Sequence, residues 1–142
     1  SDVMEPEPAA GAIAEETGAG LFQTQVRVRG ASLIADEPVE VGGLGSGPGP
    51  FDLVSAGLAA CTTMTLRLYA NRKGIPLERA RTTVTHIRTM DTPADRFHRT
   101  LVLEGPLSDD ERQRLLTIAE RCPVDLALAR GSDVTAELAE PK

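Results

Sequence analysis

The chain has 142 residues, 41% of them hydrophobic and 25% charged, with a formal charge of −6; that size argues for one domain with room for a real core. The acidic balance, the scattered basic residues and an aromatic content of 3% without Trp exclude a phosphate-binding surface or a base-stacking platform, so nucleic acid is not an expected partner. No apolar run reads as long enough to span a bilayer, no secretory signal pattern opens the sequence, and two cysteines do not make a disulfide scaffold, so the expectation is a cytoplasmic protein that does not engage a membrane.

Residues 1–20 are acidic and rich in Pro, Ala and Gly, and read as a flexible N-terminal arm ahead of a single domain over 21–142. From Leu21 to Arg29, Phe22, Thr24, Val26 and Val28 alternate with Gln23, Gln25, Arg27 and Arg29, the period of a half-buried strand. Gly30 punctuates it, and Ala31–Ala35 reads as a second strand of the same hairpin, ended by Asp36-Glu37-Pro38. The glycine-rich run Val41–Gly49 has no lysine after its glycines and no strict spacing, so it reads as a flexible entry loop rather than a phosphate cradle.

A long helix follows from Pro50 to Gly74. Pro50 suits the first helical position, Asp52 the positive end of the helix, and Gly74 the left-handed residue after Arg72 and Lys73. Between Leu53 and Met64 the polar side chains are Ser55, Cys61, Thr62 and Thr63, so the helix is apolar almost all round and is expected to be buried on every side. Arg81–Met90 and Phe97–Glu104 read as a hairpin joined by Asp91–Asp95. Ser108-Asp109-Asp110-Glu111 is a capping box, and Leu115, Leu116, Ile118 and Ala119 form the apolar stripe of the helix it starts. Cys122-Pro123 marks a break before a short helical turn that ends near Gly131, and Val134, Ala136 and Leu138 alternate as a last strand. Hairpin-connected strands with interspersed helices make the class α+β with antiparallel sheets.

Cys61 and Cys122 stand too far apart in sequence for a CxxC pair and do not have zinc-knuckle spacing. They are either two unrelated buried thiols or a redox pair. For the second reading, Cys122 lies where the N–H groups of a short helix can stabilise a thiolate, and small residues around Cys61 (Gly57, Ala59, Ala60, Thr62, Thr65) leave room for another backbone or a ligand. Were the thiols to meet, Cys61 could attack a substrate and Cys122 resolve the product as a disulfide.

Three stretches, Gly47–Leu53, Gly57–Arg67 and Glu120–Val124, together with Asp36-Glu37-Pro38 and Gly105-Pro106-Leu107, resemble the OsmC/Ohr family of osmotically inducible and organic-hydroperoxide-resistance proteins, over residues 21–139. The pairing of an Ala-Cys-Thr helix with a downstream Cys-Pro-Val is more specific than either part alone. The resemblance implies antiparallel sheets packed around a long buried helix in an intertwined homodimer, with active sites at the subunit interface. It implies that Cys61 is the peroxidatic and Cys122 the resolving cysteine of an organic hydroperoxide reductase. It also implies no bound cofactor or metal, and a dithiol reductant such as a lipoylated protein. An apolar pocket around Phe51, Leu58 and Met64 would prefer an alkyl or lipid peroxide.

The family activates its first cysteine with an arginine held by a glutamate, and the sequence departs at both. Phe51 fills the glutamate position, leaving Asp52 as the neighbouring carboxylate, and no arginine lies between Ala35 and Pro50. Arg29, then Arg27, are the substitutes the first strand offers; on its alternation both share one face, where solvated charges are the ordinary reading. Asp125 stands where relatives carry a basic residue. These departures keep a second function open: a weakly active or non-catalytic stress protein of the same fold that binds a small hydrophobic or electrophilic ligand. Elsewhere, His86 and His98 could face each other across the hairpin but lack ligand spacing, Ser55 lacks a nucleophile elbow, and Met64 and Tyr69 read as core or dimer packing.

Overall fold

The computed structural model describes residues 10–141 and has a mixed α+β fold with antiparallel sheets and one long helix. It divides into two compact units, one through Val54 and one from Ser55.

The first unit carries a three-stranded antiparallel sheet in the order β1 (Ala12–Glu16), β2 (Thr24–Val28), β3 (Ala31–Ala35). The strand β1 falls where the composition suggested a loose arm. Its five residues pair with β2 in continuous register from Ala12↔Val28 to Glu16↔Thr24, a ladder that local composition does not reveal. The rest of the expected arm, residues 1–9, lies outside the described residues. Between β2 and β3 the turn is two residues, Arg29 and Gly30, with φ of 50° and 76°. Both central residues are left-handed, as a type I′ hairpin demands. Arg29 is therefore a turn residue and does not share a strand face with Arg27.

The glycine-rich loop is organised by one buried carboxylate. Asp36 accepts from the Glu37 N–H at 2.8 Å, the Leu44 and Ser46 N–H groups at 3.2 Å each, and the Ser46 hydroxyl at 2.5 Å. The Ser46 hydroxyl first, then these N–H groups, hold the Asp36 carboxyl below the usual carboxylate range against the opposing effect of burial. Loop donors committed in this way are not presented to an outside anion. A short 3₁₀ turn, Val39–Val41, lies inside the same loop.

The helix α1 (Pro50–Lys73) starts and ends where the sequence signals lie. At its start the Asp52 carboxylate accepts from the Gly49 N–H at 2.8 Å. At its end Gly74 has φ 65° and the Ile75 N–H reaches the Ala70 carbonyl at 2.9 Å, the six-to-one bond of a Schellman motif. By length and composition α1 could cross a membrane, contrary to the sequence expectation; within the protein, its buried residues form the stripe Leu58, Thr62, Leu66 and Ala70. That spacing of four covers one side of a helix. Burial on every side is not found: Met64 is 71% and Leu68 50% exposed, and Gly57 and Ala60 are exposed beside them.

In the second unit β4 (Arg79–Arg88) and β5 (Asp95–Glu104) form the expected hairpin, in register from Arg79↔Glu104 to Arg88↔Asp95. The core gathers Leu66, Ala70, Ile75, Leu77, Leu115 and Ala119, with Leu101 and Leu103 of β5 packed against it. The helix α2 (Asp109–Ala119) opens on the full capping box between Ser108 and Glu111. The helix α3 (Pro123–Arg130) follows after three residues, Glu120–Cys122. No strand forms after it. Val134 and Leu138 are 87% and 101% exposed, and the alternation that suggested a strand has no partner edge among the described residues.

Candidate active site

Proline explains the position of Cys122. A residue before proline avoids helical angles, and Cys122 has φ −66° and ψ 145°, which makes it the N-cap of α3 with Pro123 at the first helical position. Its sulfur takes the part that a serine oxygen usually plays, accepting from the Asp125 N–H at 3.4 Å. Cys122 has no exposed surface. Thr62 of α1 lies against it, with Oγ1 3.7 Å from Sγ.

Cys61, one residue before Thr62, is half-buried and meets the same turn. Its sulfur neighbours the Val124 N–H, the Cys122 thiol and the Thr65 hydroxyl. Burial pushes the Cys61 thiol above its ordinary value; the Val124 N–H opposes this, the Cys122 thiol adds to it, and the Thr65 hydroxyl works the other way. Both cysteines are free thiols. The fold thus brings together two sulfurs separated by sixty residues of sequence, at the start of α3.

Arg99 is the cation beside Cys122. It donates through Nη1 to the Ala119 carbonyl at 2.8 Å, the Thr62 hydroxyl oxygen at 3.2 Å and the Cys122 sulfur at 3.9 Å. Its Nη2 pairs with the Asp125 carboxylate, and the two side chains are only 16% and 18% exposed. Sequence reasoning named Arg29 and Asp52 for these parts. Arg29 shapes the β2–β3 turn and Asp52 caps its own helix start, both in the first unit. The signal for Arg99 was present: Phe97, Arg99, Leu101 and Leu103 alternate onto the inward face of β5, so an arginine stands where an apolar side chain is expected. Asp125, noted as a departure, is that arginine's partner.

The residues proposed for a substrate pocket are placed less uniformly. Leu58 is 3% exposed, with its carbonyl accepting from the Thr62 hydroxyl at 2.7 Å. Met64 stands on the exposed side of α1, and Phe51, in the first unit, is 40% exposed. The two histidines do not converge. His86 bonds Asp95 at 2.8 Å and stacks on Phe97 at a centroid distance of 4.7 Å, whereas His98 pairs in register with Thr85 and faces outward. The His86 ring, with Arg88 behind it, holds the Asp95 carboxyl below its usual range. Among the described residues no group of three His, Cys, Asp or Glu could hold a metal.

Two adjacent thiols, one half-exposed and one enclosed beside a guanidinium, can cycle between dithiol and disulfide. The family model for OsmC-like proteins matches residues 43–137. The chain is similar to an organic hydroperoxide resistance protein OsmC from Legionella pneumophila, with 27% identity, a TM-score of 0.63 and coverage of 86% of this chain and 91% of that one. The fold is shared with an organic hydroperoxide resistance protein from Elizabethkingia anophelis (21% identity, TM-score 0.67, 87% of this chain and 90% of that one). It is also shared with an OsmC-like protein from Mycoplasma pneumoniae (23%, 0.66, 83% and 84%). No curated protein matches the sequence.

Proposed function

Because the chain belongs to the OsmC-like family, we propose that it is a cytoplasmic thiol peroxidase that reduces organic hydroperoxides. The observation that carries this reading is the meeting of Cys61 and Cys122 at the start of α3. The names of the Legionella and Elizabethkingia proteins support the substrate class. Cys61, the half-exposed sulfur, attacks the distal peroxide oxygen as a thiolate, releasing the alcohol and leaving a sulfenic acid. Cys122 then attacks that sulfur, water leaves, and the disulfide forms. A dithiol of the lipoyl type returns the two electrons.

A second copy of the chain completes the site in this reading. The exposed apolar stripe of Ala60, Met64 and Leu68 on α1 is what an intertwined homodimer would cover. The family carboxylate is absent at Phe51, and Arg99 with Asp125 supplies a charged pair from another strand and helix.

One observation favours the second reading, a ligand-binding stress protein with little turnover: burial raises the Cys61 thiol, which keeps it protonated and slow. The test is anaerobic reduction followed by one equivalent of cumene hydroperoxide and intact mass. The peroxidase loses two hydrogens, and neither Cys61→Ser nor Cys122→Ser does. An unchanged mass, with no turnover on dihydrolipoamide, leaves only the binding protein. Light scattering at micromolar concentration reports the dimer, and a monomer rules out the intertwined assembly.

A further inference from the structure

The two sulfurs differ in ways that decide how their disulfide is opened. Cys122 is fully enclosed, and Cys61 keeps exposed surface. The groups acting on Cys61 are neutral: the Val124 N–H, the Thr65 hydroxyl and the Cys122 thiol. Cys122 faces two hydrogen-bond donors, Nη1 of the Asp125-paired Arg99 at 3.9 Å and the Asp125 N–H at 3.4 Å.

Thr62 makes this environment directional. Its hydroxyl hydrogen goes to the Leu58 carbonyl at 2.7 Å, so toward the site its oxygen presents lone pairs. One receives Arg99 Nη1 at 3.2 Å, and the Cys122 sulfur stands 3.7 Å away. A Cys122 thiol therefore donates to Thr62, and a Cys122 thiolate accepts from Arg99 and from the Asp125 N–H. Both protonation states are satisfied without moving the guanidinium, which the Ala119 carbonyl and the Asp125 carboxylate hold in place. In thiol–disulfide exchange the sulfur better stabilised as an anion leaves faster, and access selects the sulfur that is attacked. At this pair both criteria select the same outcome.

We infer that the Cys61–Cys122 disulfide opens in one direction, with a dithiol attacking Cys61 and Cys122 leaving as a thiolate onto Arg99. The inference rests on the proposed redox pairing of the two cysteines. One thiolate of the dithiol forms a bond to Cys61 Sγ, the Cys61–Cys122 bond breaks, and its electron pair goes to Cys122 Sγ. The second thiol of the same reductant then attacks the reductant's own sulfur in the mixed disulfide and releases Cys61. The reductant ends as a cyclic disulfide, and its two protons end on the two cysteines. Arg99 is thereby assigned to the reductive half of the cycle, and the mixed disulfide with the reductant forms on Cys61, not on Cys122.

The disulfide is made with diamide and no hydroperoxide, and verified by the loss of two hydrogens in the intact mass. It is then opened with 2-mercaptoethanol, quenched early with N-ethylmaleimide, and mapped by peptide mass. The expected product carries mercaptoethanol on Cys61 and maleimide on Cys122. Arg99→Gln is expected to slow opening by dithiothreitol about tenfold and to spread the adduct over both cysteines, whereas Arg99→Lys restores most of the rate and the preference. Mercaptoethanol on Cys122, an equal split in the unaltered protein, or no disulfide with diamide overturns the inference. The wild-type mapping decides even if Arg99→Gln does not fold. A protein that fails with cumene hydroperoxide but gives the expected map after diamide oxidation loses the peroxidase reading and keeps this one.

Discussion

Asp125 grips Arg99 and Cys122 with different atoms: its carboxylate pairs with Arg99 Nη2, and its backbone N–H bonds the Cys122 sulfur at 3.4 Å. One residue thus fixes both the cation and the thiol it faces. The carboxylate belongs to the first turn of α3, where negative charge is favoured, so helix and ion pair reinforce each other.

With both side chains less than one-fifth exposed, removing one partner strands a charge. Asp125→Ala is expected to destabilise the protein by about 3 kcal/mol in urea titrations, well beyond a surface ion pair of about 0.5 kcal/mol. Asp125→Asn, which keeps an acceptor for Nη2, should lose about half of that. In a double-mutant cycle with Arg99→Met, the coupling should exceed about 1 kcal/mol. A coupling near zero shows the pair to be an incidental contact.

The raised Cys61 thiol sets a pH dependence of known sign. Its folded value lies above the ordinary 9.0, chiefly from burial, so the thiolate is scarce at neutral pH. In Cys122→Ser, alkylation of Cys61 by iodoacetamide should still be rising at pH 9. Thr65→Val removes a hydroxyl that favours the thiolate and should slow alkylation at pH 8 about threefold. The stability link has the same origin: a folded value above the unfolded one contributes stability that is present below pH 9 and is lost as pH rises through the folded value. A rate already level at pH 8 contradicts this environment.

Elements with strong local chemistry were legible in the sequence. The Pro50 and Gly74 ends of α1, the Ser108 box and the Cys122-Pro123 break all appear where their residues call for them. Hairpin alternation located β2 to β5, and both cysteines were named. What was missed depends on partners distant in sequence. β1 exists because β2 lies beside it, and Val134–Leu138 fails as a strand for want of such a neighbour. Arg99 goes unnamed in the sequence reading because the arginine is sought between Ala35 and Pro50 and then on the first strand, whereas Arg99 stands among the inward-facing apolar residues of β5. The uniform apolarity of α1 was read as burial, yet only the Leu58–Ala70 stripe is buried by the chain itself.

Asp36 gives a second pH dependence, of opposite sign. The Ser46 hydroxyl and three backbone N–H groups hold its carboxyl below 3.8, so its contribution is complete above pH 3.8 and is lost as pH falls through the folded value. The glycine-rich loop from Gly42 to Gly49 should then become susceptible to protease at about pH 3 while neutral samples resist. Asp36→Asn should show the same susceptibility at pH 7 and no further change on acidification. Equal resistance of the variant at pH 7 means that Asp36 does not organise the loop.

Gly57 lies in the exposed stripe of α1, and a Cβ built there meets nothing within 4 Å. For the chain taken alone, Gly57→Ala replaces a poor helix former in mid-helix and should stabilise by about 1 kcal/mol. The proposed second copy reverses that sign, because a helix packed on Gly57, Ala60 and Met64 needs the missing side chain for close approach. The expected outcome is a weaker dimer, its dissociation constant raised about tenfold, equivalent to about 1.4 kcal/mol, in analytical ultracentrifugation. Thermal stability should fall with dilution more steeply for the variant than for the unaltered chain. A variant that is uniformly more stable and assembles as before places Gly57 outside any interface and removes α1 from the dimer contact.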